Sequence, residues 1–341
     1  MLDALLKETE LQKNYLENEV VETIYFGGGT PSLLQIEDLR LQIEKIRQTF
    51  NVSDKAEITF EANPDDITEE KLVGWKEIGI NRLSIGVQSF FEEDLLWMNR
   101  AHNAQQAIEN LQSAIKQFDN ITIDLIYGHP LLTNEKWKQN VEKVVALNIP
   151  HISCYALTVE PKTPLSKMIR EKKKEDIKQE KQAEQFLLLM GWLENAGYEH
   201  YEISNFAKPG FRSRHNSSYW QGKKYLGLGP SAHSFNGESR QWNISNNNNY
   251  IESLEKNTNA FEKEILTESQ KVNEYIMTSL RTMEGLNLDK VGEAASNELR
   301  ASSKKFIESG KLTLKENKLI LTREGKLFAD GIAADLFVDA V

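Results

Sequence analysis

The sequence predicts an α/β protein in which a partial (β/α) barrel is followed by a C-terminal helical, winged-helix-like domain. Apolar, β-branched segments alternate with segments of helical periodicity through the first two-thirds of the chain, as in parallel strands joined by right-handed crossovers. The last third combines helical segments with one short hairpin. We therefore predict two domains, at residues 1–235 and 236–341, with a polar break at the asparagines of 246–249.

Each element has its own signal in the chain. The strands are short runs rich in apolar and β-branched residues, at 23–26, 56–61, 82–87, 121–127 and 151–157. Helical spacing fills the gaps, at 36–49, 69–78, 103–117 and 135–147, and a long charged helix is predicted at 170–196. The last third predicts helices near 268–283 and 289–309, a hairpin at 311–322 and a closing helix at 323–336.

Polar or glycine-rich residues follow each predicted barrel strand in turn. They stand at 27–30, 61–64, 86–89, and at 124 with 127–130. Ligands of (β/α) barrels lie at the C-terminal ends of the strands, so we expect a binding site at this rim. The three adjacent glycines at 27–29 would let bare backbone approach a small molecule closely.

Composition excludes several classes of protein. The 341 residues are 40% hydrophobic and 27% charged, and no apolar run is long enough for a membrane span. The net charge of −10 argues against broad nucleic-acid binding. The single cysteine, Cys154, excludes a disulfide framework and a metal site held by several cysteines of this chain, and it suits a reducing cytoplasm. We predict a cytoplasmic protein in which Cys154 is a small buried residue.

Four motifs carry a resemblance to a known family. They occur in family order and spacing, and they read Tyr25-Phe-Gly-Gly-Gly-Thr-Pro-Ser32, Glu61-Ala-Asn-Pro64, Asn81-Arg-Leu-Ser-Ile-Gly-Val-Gln-Ser-Phe90 and Asp124-Leu-Ile-Tyr-Gly-His-Pro130. The chain resembles the radical S-adenosylmethionine proteins related to oxygen-independent coproporphyrinogen III oxidase. A fifth motif, His215-Asn-Ser-Ser-Tyr-Trp220, is similar to that of the HemW-like haem chaperones. The resemblance covers essentially the whole chain and implies a partial radical-SAM barrel.

The resemblance implies a set of S-adenosylmethionine-binding residues. Gly28, Gly29 and Thr30 would lie along the methionine part, where backbone groups suit a zwitterion. The other implied residues are Glu61 for ribose or amino groups, Gln88 for ribose or carboxylate, Arg100 for a carboxylate, Asp124 for a ribose hydroxyl, and the Ala156 carbonyl near the adenine. Two alternatives stay open. Glu61 would otherwise be a buried barrel carboxylate paired with a neighbour, and Arg100 a surface ion pair.

The family also implies a 4Fe–4S cluster held by three cysteines in a C-x3-C-x2-C loop. This sequence does not contain that loop, since Cys154 is its one cysteine. We therefore expect that the chain as written binds no cluster and performs no radical chemistry. Three explanations for the missing cysteine loop remain open: a start codon assigned too far downstream, a biological truncation, or chosen ends of the chain.

The fifth motif implies a haem site. His215 would ligate the haem iron, and Tyr219 and Trp220 would pack on the porphyrin face. Arg212 and Arg214 would meet the haem propionates. The alternative is a loop histidine bonded to backbone, with Trp220 as a core anchor; His233 is a weaker ligand candidate of the same kind.

Three functions follow from these readings. The first is a haem chaperone whose partners are haem and haem-accepting proteins. The second is an oxygen-independent coproporphyrinogen III oxidase or dehydrogenase of porphyrin biosynthesis, so whether the chain is an enzyme stays open. The third, independent of the family, is a barrel enzyme whose glycine turn holds a phosphate at a helix N-terminus. A peripheral membrane contact and the oligomeric state also stay open.

Overall fold

A seven-stranded, curled sheet forms the first part of the protein. The computed structural model describes residues 1–258 and 260–339. The strands of this sheet are β1 Val21–Phe26, β2 Val52–Ala62, β3 Arg82–Gln88, β4 Ile121–Tyr127, β5 His151–Ala156, β6 Glu199–Glu202 and β7 Asn205–Ala207. Strands β1 to β5 are parallel and lie in chain order, and β7 and then β6 extend the sheet in antiparallel pairing. This sheet is the predicted partial barrel.

Helices connect the strands and continue into the last third of the chain. In the barrel they are α1 Leu2–Leu11, α2 Ile36–Thr49, α3 Glu69–Glu77, α4 Glu92–Trp97, α5 Ala104–Gln117, α6 Asn134–Ala146, α7 Pro164–Arg170, α8 Gln179–Asn195 and α9 Arg214–Trp220. Beyond it they are α10 Asn247–Glu255, α11 Glu268–Leu280, α12 Glu293–Glu308 and α13 Ala329–Asp335. The five parallel strands, the connecting helices and the last three helices confirm the order of elements that the sequence predicts.

The two faces of the sheet differ in character because side chains alternate along a strand. Apolar residues of β2, such as Ile58 and Phe60, belong to a large core that also holds the fully buried Trp75 and Trp137 of the outer helices. Residues of alternate parity line the inside of the half-barrel and are polar, as Thr59 is. Helix packing thus stabilises one face of the sheet and leaves the other face for polar chemistry.

The predicted helix over 170–196 is wrong in its first part. Helix α7 ends at Arg170, Lys172 has a left-handed φ of 56°, and α8 begins at Gln179. The Lys174 ammonium donates to the carbonyl of Trp97 and lies 4.4 Å from the centre of its indole ring. This contact between distant residues holds the lysine run in a turn, where the sequence pattern had favoured a helix.

A second sheet lies beside the N-terminal helix. It consists of β8 His233–Phe235, β9 Ser239–Asn243 and β10 Phe261–Ile265, all antiparallel. The buried carboxylate of Glu8 in α1 accepts hydrogen bonds from the Gly229 N–H, the Asn243 amide and the Tyr250 hydroxyl. Residues 235 and 236 lie at the β8–β9 turn, and the domain boundary placed between them stays a prediction.

The C-terminal module has a separate core. Its third sheet contains β11 Leu286–Asn287, β12 Leu312–Lys315 and β13 Lys318–Leu321, in the order β11–β13–β12. Helices α11, α12 and α13 cover it, and α13 follows a 3-10 turn at Gly325–Phe328. Helix, strand, helix and hairpin follow one another as in the predicted winged-helix-like domain. In residues 1–258 and 260–339, every helix is too short or too polar to cross a membrane.

Candidate functional site

The glycine turn after β1 provides an open cradle at the rim. Gly28 and Gly29 have left-handed φ values of +74° and +61°, and a Cβ added at either would meet no atom within 4 Å. A Cβ at Gly27 would instead overlap Tyr25 and Glu61. Thr30 precedes a 3-10 turn at Pro31–Leu33, and α2 begins only afterwards. The turn is therefore open on one side and closely packed on the other.

Glu61, at the end of β2, holds this turn in place. Its Oε2 accepts the Gly28 N–H at 3.0 Å, and its Oε1 accepts the Tyr25 hydroxyl at 2.6 Å. A carboxylate already at the turn disfavours a bound phosphate, because like charges repel. The α-helix N-terminus that the phosphate hypothesis requires is also displaced, to Ile36.

Gln88 and Arg100 lie together at the end of β3. Gln88 has a left-handed φ of 67°, an uncommon conformation for a non-glycine residue and one that recurs at functional sites. The Arg100 guanidinium donates to Asn63 Oδ1 at 3.1 Å and to the Gly86 carbonyl at 3.5 Å. Its Nε is buried and lacks a hydrogen-bond partner among the described residues. These two partners are an amide and a carbonyl, so the Nε–H is left as a donor for a further acceptor.

Asp124 of β4 lies inside the half-barrel, beside a polar cavity of about 60 Å³. Burial, and then the charge of Glu61, raise the pKa of Asp124 to about 7, while a hydrogen bond from Ser153 and the charges of Arg100 and Arg82 act in the opposite direction. A space of this size holds about two waters. The cavity is lined by Tyr25, Thr59, Glu61, Arg82, Ser84, Thr122, Asp124, Ser153, Tyr155, Ser213 and Asn216.

Ala156 ends β5, next along the same rim. Its carbonyl accepts the Thr158 hydroxyl at 3.4 Å, and the following Leu157 N–H donates to the Tyr127 carbonyl. The S-adenosylmethionine candidates thus lie along β1 to β5 at the rim, with Asp124 three residues inside the end of β4. Gly28 and Glu61 are in direct contact, and the remaining ones follow along the strand order. Their roles in binding stay predictions.

His215 lies in α9 against β1 and β2. Its Nδ1 is 2.9 Å from Thr23 Oγ1, its Nε2 is 3.0 Å from the Tyr219 hydroxyl, and its ring stacks on Tyr25 with centroids 4.7 Å apart. Its backbone N–H donates to the buried carboxylate of Glu57. Burial lowers the pKa of His215 to about 4, so the imidazole is neutral at physiological pH.

The other residues of the haem motif face two directions. Tyr219 contacts His215 and Tyr225 edge to face, whereas Trp220 has the Arg281 guanidinium 5.2 Å from its ring centre. Arg212 is paired with Glu199 and Glu284. Arg214 lies 3.8 Å from Glu22 and donates to the Lys55 carbonyl. His233 is exposed at the start of β8.

The residues present were tested against the cofactors that the resemblance implies. The open glycine turn and the unpaired Arg100 Nε fit a small zwitterionic ligand. The imidazole of His215 fits haem iron once the hydrogen bond between Nε2 and the Tyr219 hydroxyl is broken. Cys154 does not fit an iron–sulfur cluster, because it is buried in the sheet and burial raises the pKa of its thiol. Within the described residues, no group of three or more His, Cys, Asp or Glu side chains is arranged for a metal ion.

Several residues of the site were not identified from the sequence. Thr23 and Glu57 belong to predicted strand segments, and Tyr25 begins the first family motif. No contact with His215 is predicted for any of the three, yet each contacts it. The available signal was the period-two alternation of polar and apolar residues in β1 and β2, which marks one strand face as polar. That alternation identifies a face and does not identify which distant residue packs on it.

Comparisons with known proteins agree with this architecture. Residues 6–162 match the model of the Radical SAM superfamily, and residues 266–328 match that of the HemN C-terminal domain. Coproporphyrinogen III oxidase (HemN) from Escherichia coli, a radical SAM enzyme of known structure, has a TM-score of 0.83 at 23% identity, over 99% of this chain and 82% of that one. At that identity the likeness shows a shared fold. The curled half-barrel and its glycine turn are therefore those of a radical SAM superfamily protein.

Closer relatives define the family. The heme chaperone HemW of Bacillus subtilis is 33% identical over 319 residues, which cover 92% of this chain and 84% of the relative. The heme chaperone HemW of Mycobacterium tuberculosis is 33% identical over 337 residues, which cover 98% and 85%. The chain belongs to the HemW haem chaperone family.

Proposed function

We propose that this chain binds haem and S-adenosylmethionine and passes haem to acceptor proteins. The observation that carries the proposal is the environment of His215. Its imidazole is neutral, and each ring nitrogen faces a hydroxyl group. A ligand that displaces a hydroxyl from a ring nitrogen leaves no unpaired charge buried. The heme chaperones among the relatives support the same function.

In this proposal, α9 forms the haem site. His215 supplies the nitrogen that binds iron, and the aromatic rings of Tyr219 and Trp220 exclude water from the macrocycle. Arg212 and Arg214 would exchange a carboxylate partner of the protein for a haem propionate, since both already pair with glutamates. Haem, when bound, would supply an iron centre that takes a nitrogen ligand.

The rim residues would hold S-adenosylmethionine. This cofactor supplies an adenosyl group on a sulfonium and a methionine zwitterion. The turn at Gly28 and Gly29 leaves space for the methionine part, and Arg100 offers its unpaired Nε–H to the carboxylate. Asp124, with a pKa of about 7, can both donate and accept a hydrogen bond towards a ribose hydroxyl near neutral pH.

A haem titration of the purified full chain tests whether it binds haem through His215. We expect the Soret band to shift on binding, and His215→Ala to weaken affinity by more than about 10-fold, since even an outer-shell partner of a metal ligand is worth that much. His233→Ala is the matched comparison, because it removes an exposed histidine, and we expect near wild-type affinity. Equal haem affinity of wild type and His215→Ala would overturn the assignment of His215 as the haem ligand. A loss of affinity confined to His233→Ala would place the ligand in β8 instead.

Transfer requires a second measurement. Haem-loaded chain is mixed with apomyoglobin as a generic acceptor, and the spectrum of the acceptor is followed. We expect transfer faster than spontaneous haem release into buffer. A rate equal to spontaneous release would contradict the chaperone function while leaving haem binding intact.

Equilibrium dialysis with labelled S-adenosylmethionine tests whether the rim residues bind this cofactor. We expect Arg100→Ala to bind several-fold more weakly than wild type, because the variant lacks the donor for the carboxylate. Arg40→Ala, which removes an exposed arginine of α2, is the control. Equal binding by wild type and Arg100→Ala would exclude Arg100 from the site.

A further inference from the structure

We propose that Thr23 is a positioning residue for the haem site, although it lies outside the haem motif. Its hydroxyl holds the His215 ring as the Nδ1–H tautomer, so that the Nε2 lone pair faces the position that iron will occupy. The inference rests on the proposed function of His215. It assigns a role to β1, the strand before the glycine turn.

The geometry restricts the imidazole to two arrangements. A neutral ring has one N–H donor and one acceptor nitrogen, and each nitrogen of His215 faces one hydroxyl. Either Nδ1–H donates to Thr23 Oγ1 and Nε2 accepts from Tyr219, or both bonds run in the opposite direction.

The chemistry of the two hydroxyls favours the first arrangement. A phenol is far more acidic than an aliphatic alcohol and is therefore the stronger hydrogen-bond donor. The Tyr219 hydroxyl lies 3.0 Å from Nε2 and can donate its proton to it. Thr23 Oγ1 then accepts from Nδ1–H. The lone pair of His215 thus lies at Nε2, and the proton lies on the side of β1.

Strand β1 fixes the ring as well as its tautomer. Thr23 and Tyr25 are two residues apart and so project from the same face of the strand. Thr23 contacts the edge of the imidazole, and Tyr25 stacks on its plane at an interplanar angle of 21°. Tyr219 is four residues after His215, so it shares the helix face of His215 and moves with α9.

Haem binding in this arrangement requires no proton transfer. The Nε2 lone pair would hold the iron, and the hydrogen bond from the Tyr219 hydroxyl to Nε2 is the one that would be given up. Thr23 keeps its hydrogen bond to Nδ1–H, which is the usual outer-shell support of a metal-bound histidine. Removing the Thr23 hydroxyl and removing the Tyr219 hydroxyl should therefore change haem affinity in opposite directions.

The tautomer is measured directly by nitrogen NMR of the haem-free full chain, labelled in its six histidines. We expect the His215 signals, assigned by comparison with His215→Ala, to show a protonated Nδ1 and an unprotonated Nε2. Thr23→Ser should preserve this pattern, and Thr23→Val should move the proton towards Nε2. A protonated Nε2 in the wild-type protein would overturn the inference.

Haem affinity provides the second readout. We expect Thr23→Val to weaken binding roughly 10-fold, Thr23→Ser to restore it, and Tyr219→Phe to bind more tightly than wild type, because the hydrogen bond that competes for Nε2 is lost. Equal affinity of Thr23→Val and wild type would overturn the positioning role. Failure of the wild type to bind haem would refute the proposed function, whereas the NMR result would still report the tautomer.

Discussion

The hydroxyl of Tyr25 donates a 2.6 Å hydrogen bond to Oε1 of Glu61, and this bond connects the glycine turn to the haem motif. On one side, Glu61 accepts the Gly28 N–H; on the other, the Tyr25 ring stacks on His215. Burial and the charge of Glu61 raise the pKa of Tyr25, so the phenol stays protonated and remains a donor. Two candidate sites that are far apart in sequence thus share one side chain.

We expect Tyr25→Phe to lower the free energy of unfolding by about 1.5–3 kcal/mol, the usual range for a hydrogen bond to a charged group. Tyr198→Phe is the matched control, because its hydroxyl donates to the neutral carbonyl of Ile149 and its loss costs about 1 kcal/mol. Urea unfolding of the two variants measures the difference. A smaller loss in Tyr25→Phe than in Tyr198→Phe would contradict a charged acceptor.

Asp124 gives the protein a specific pH dependence. Its pKa of about 7 in the folded state lies above the ordinary value of 3.8, so the folded state binds the proton more tightly between these values. This group therefore lowers stability as the pH rises from about 4 to about 7. We expect Asp124→Asn to be more stable than wild type by up to about 4 kcal/mol at pH 8, with the difference disappearing near pH 4. Thermal unfolding across this range measures it, and a pH-independent difference would refute the raised pKa.

At the haem site the shift in pKa is downward, opposite to that of Asp124. The pKa of His215 is lowered to about 4 in the folded state, so its lone pair stays available through the range in which an ordinary histidine is protonated. We expect haem affinity to be nearly constant from pH 8 to pH 5.5 and to fall only as the pH approaches 4. Difference spectra at fixed haem concentration test this. A midpoint near 6.5, the ordinary value for histidine, would contradict a buried ligand at His215.

Glu8 provides a stability test at the N-terminal helix. We expect Glu8→Gln to lose about 1–3 kcal/mol, because the amide group presents donors to an environment that already contains three donors. Glu10→Gln is the control on the same helix, since Glu10 is exposed and pairs with lysines at the surface. Urea midpoints of both variants give the comparison. Equal midpoints for the two variants would show that the buried network contributes nothing.

The sequence predicted those features that depend on local pattern. The strand at 121–127 and the helix at 36–49 have the observed bounds, because alternation and helical spacing are properties of neighbouring residues. The rim candidates were identified because strand ends of a barrel point to one edge. The turn after Arg170 was missed, since the contact of Lys174 with Trp97 joins residues 77 positions apart. The same limit applies to Thr23 and His215, which are 192 positions apart.

The buried carboxylate of Glu8 has a consequence for the order of folding. Its bond to the Tyr250 hydroxyl spans 242 positions, so helix α1 cannot reach its final environment until residue 250 has been synthesised. Closing so long a loop costs entropy that the few contacts at the junction must offset. Helix α1, strand β9 and helix α10 should then open together in native-state hydrogen exchange, as one cooperative unit formed late. Helix α1 is synthesised first, yet it reaches its final contacts only together with β9 and α10.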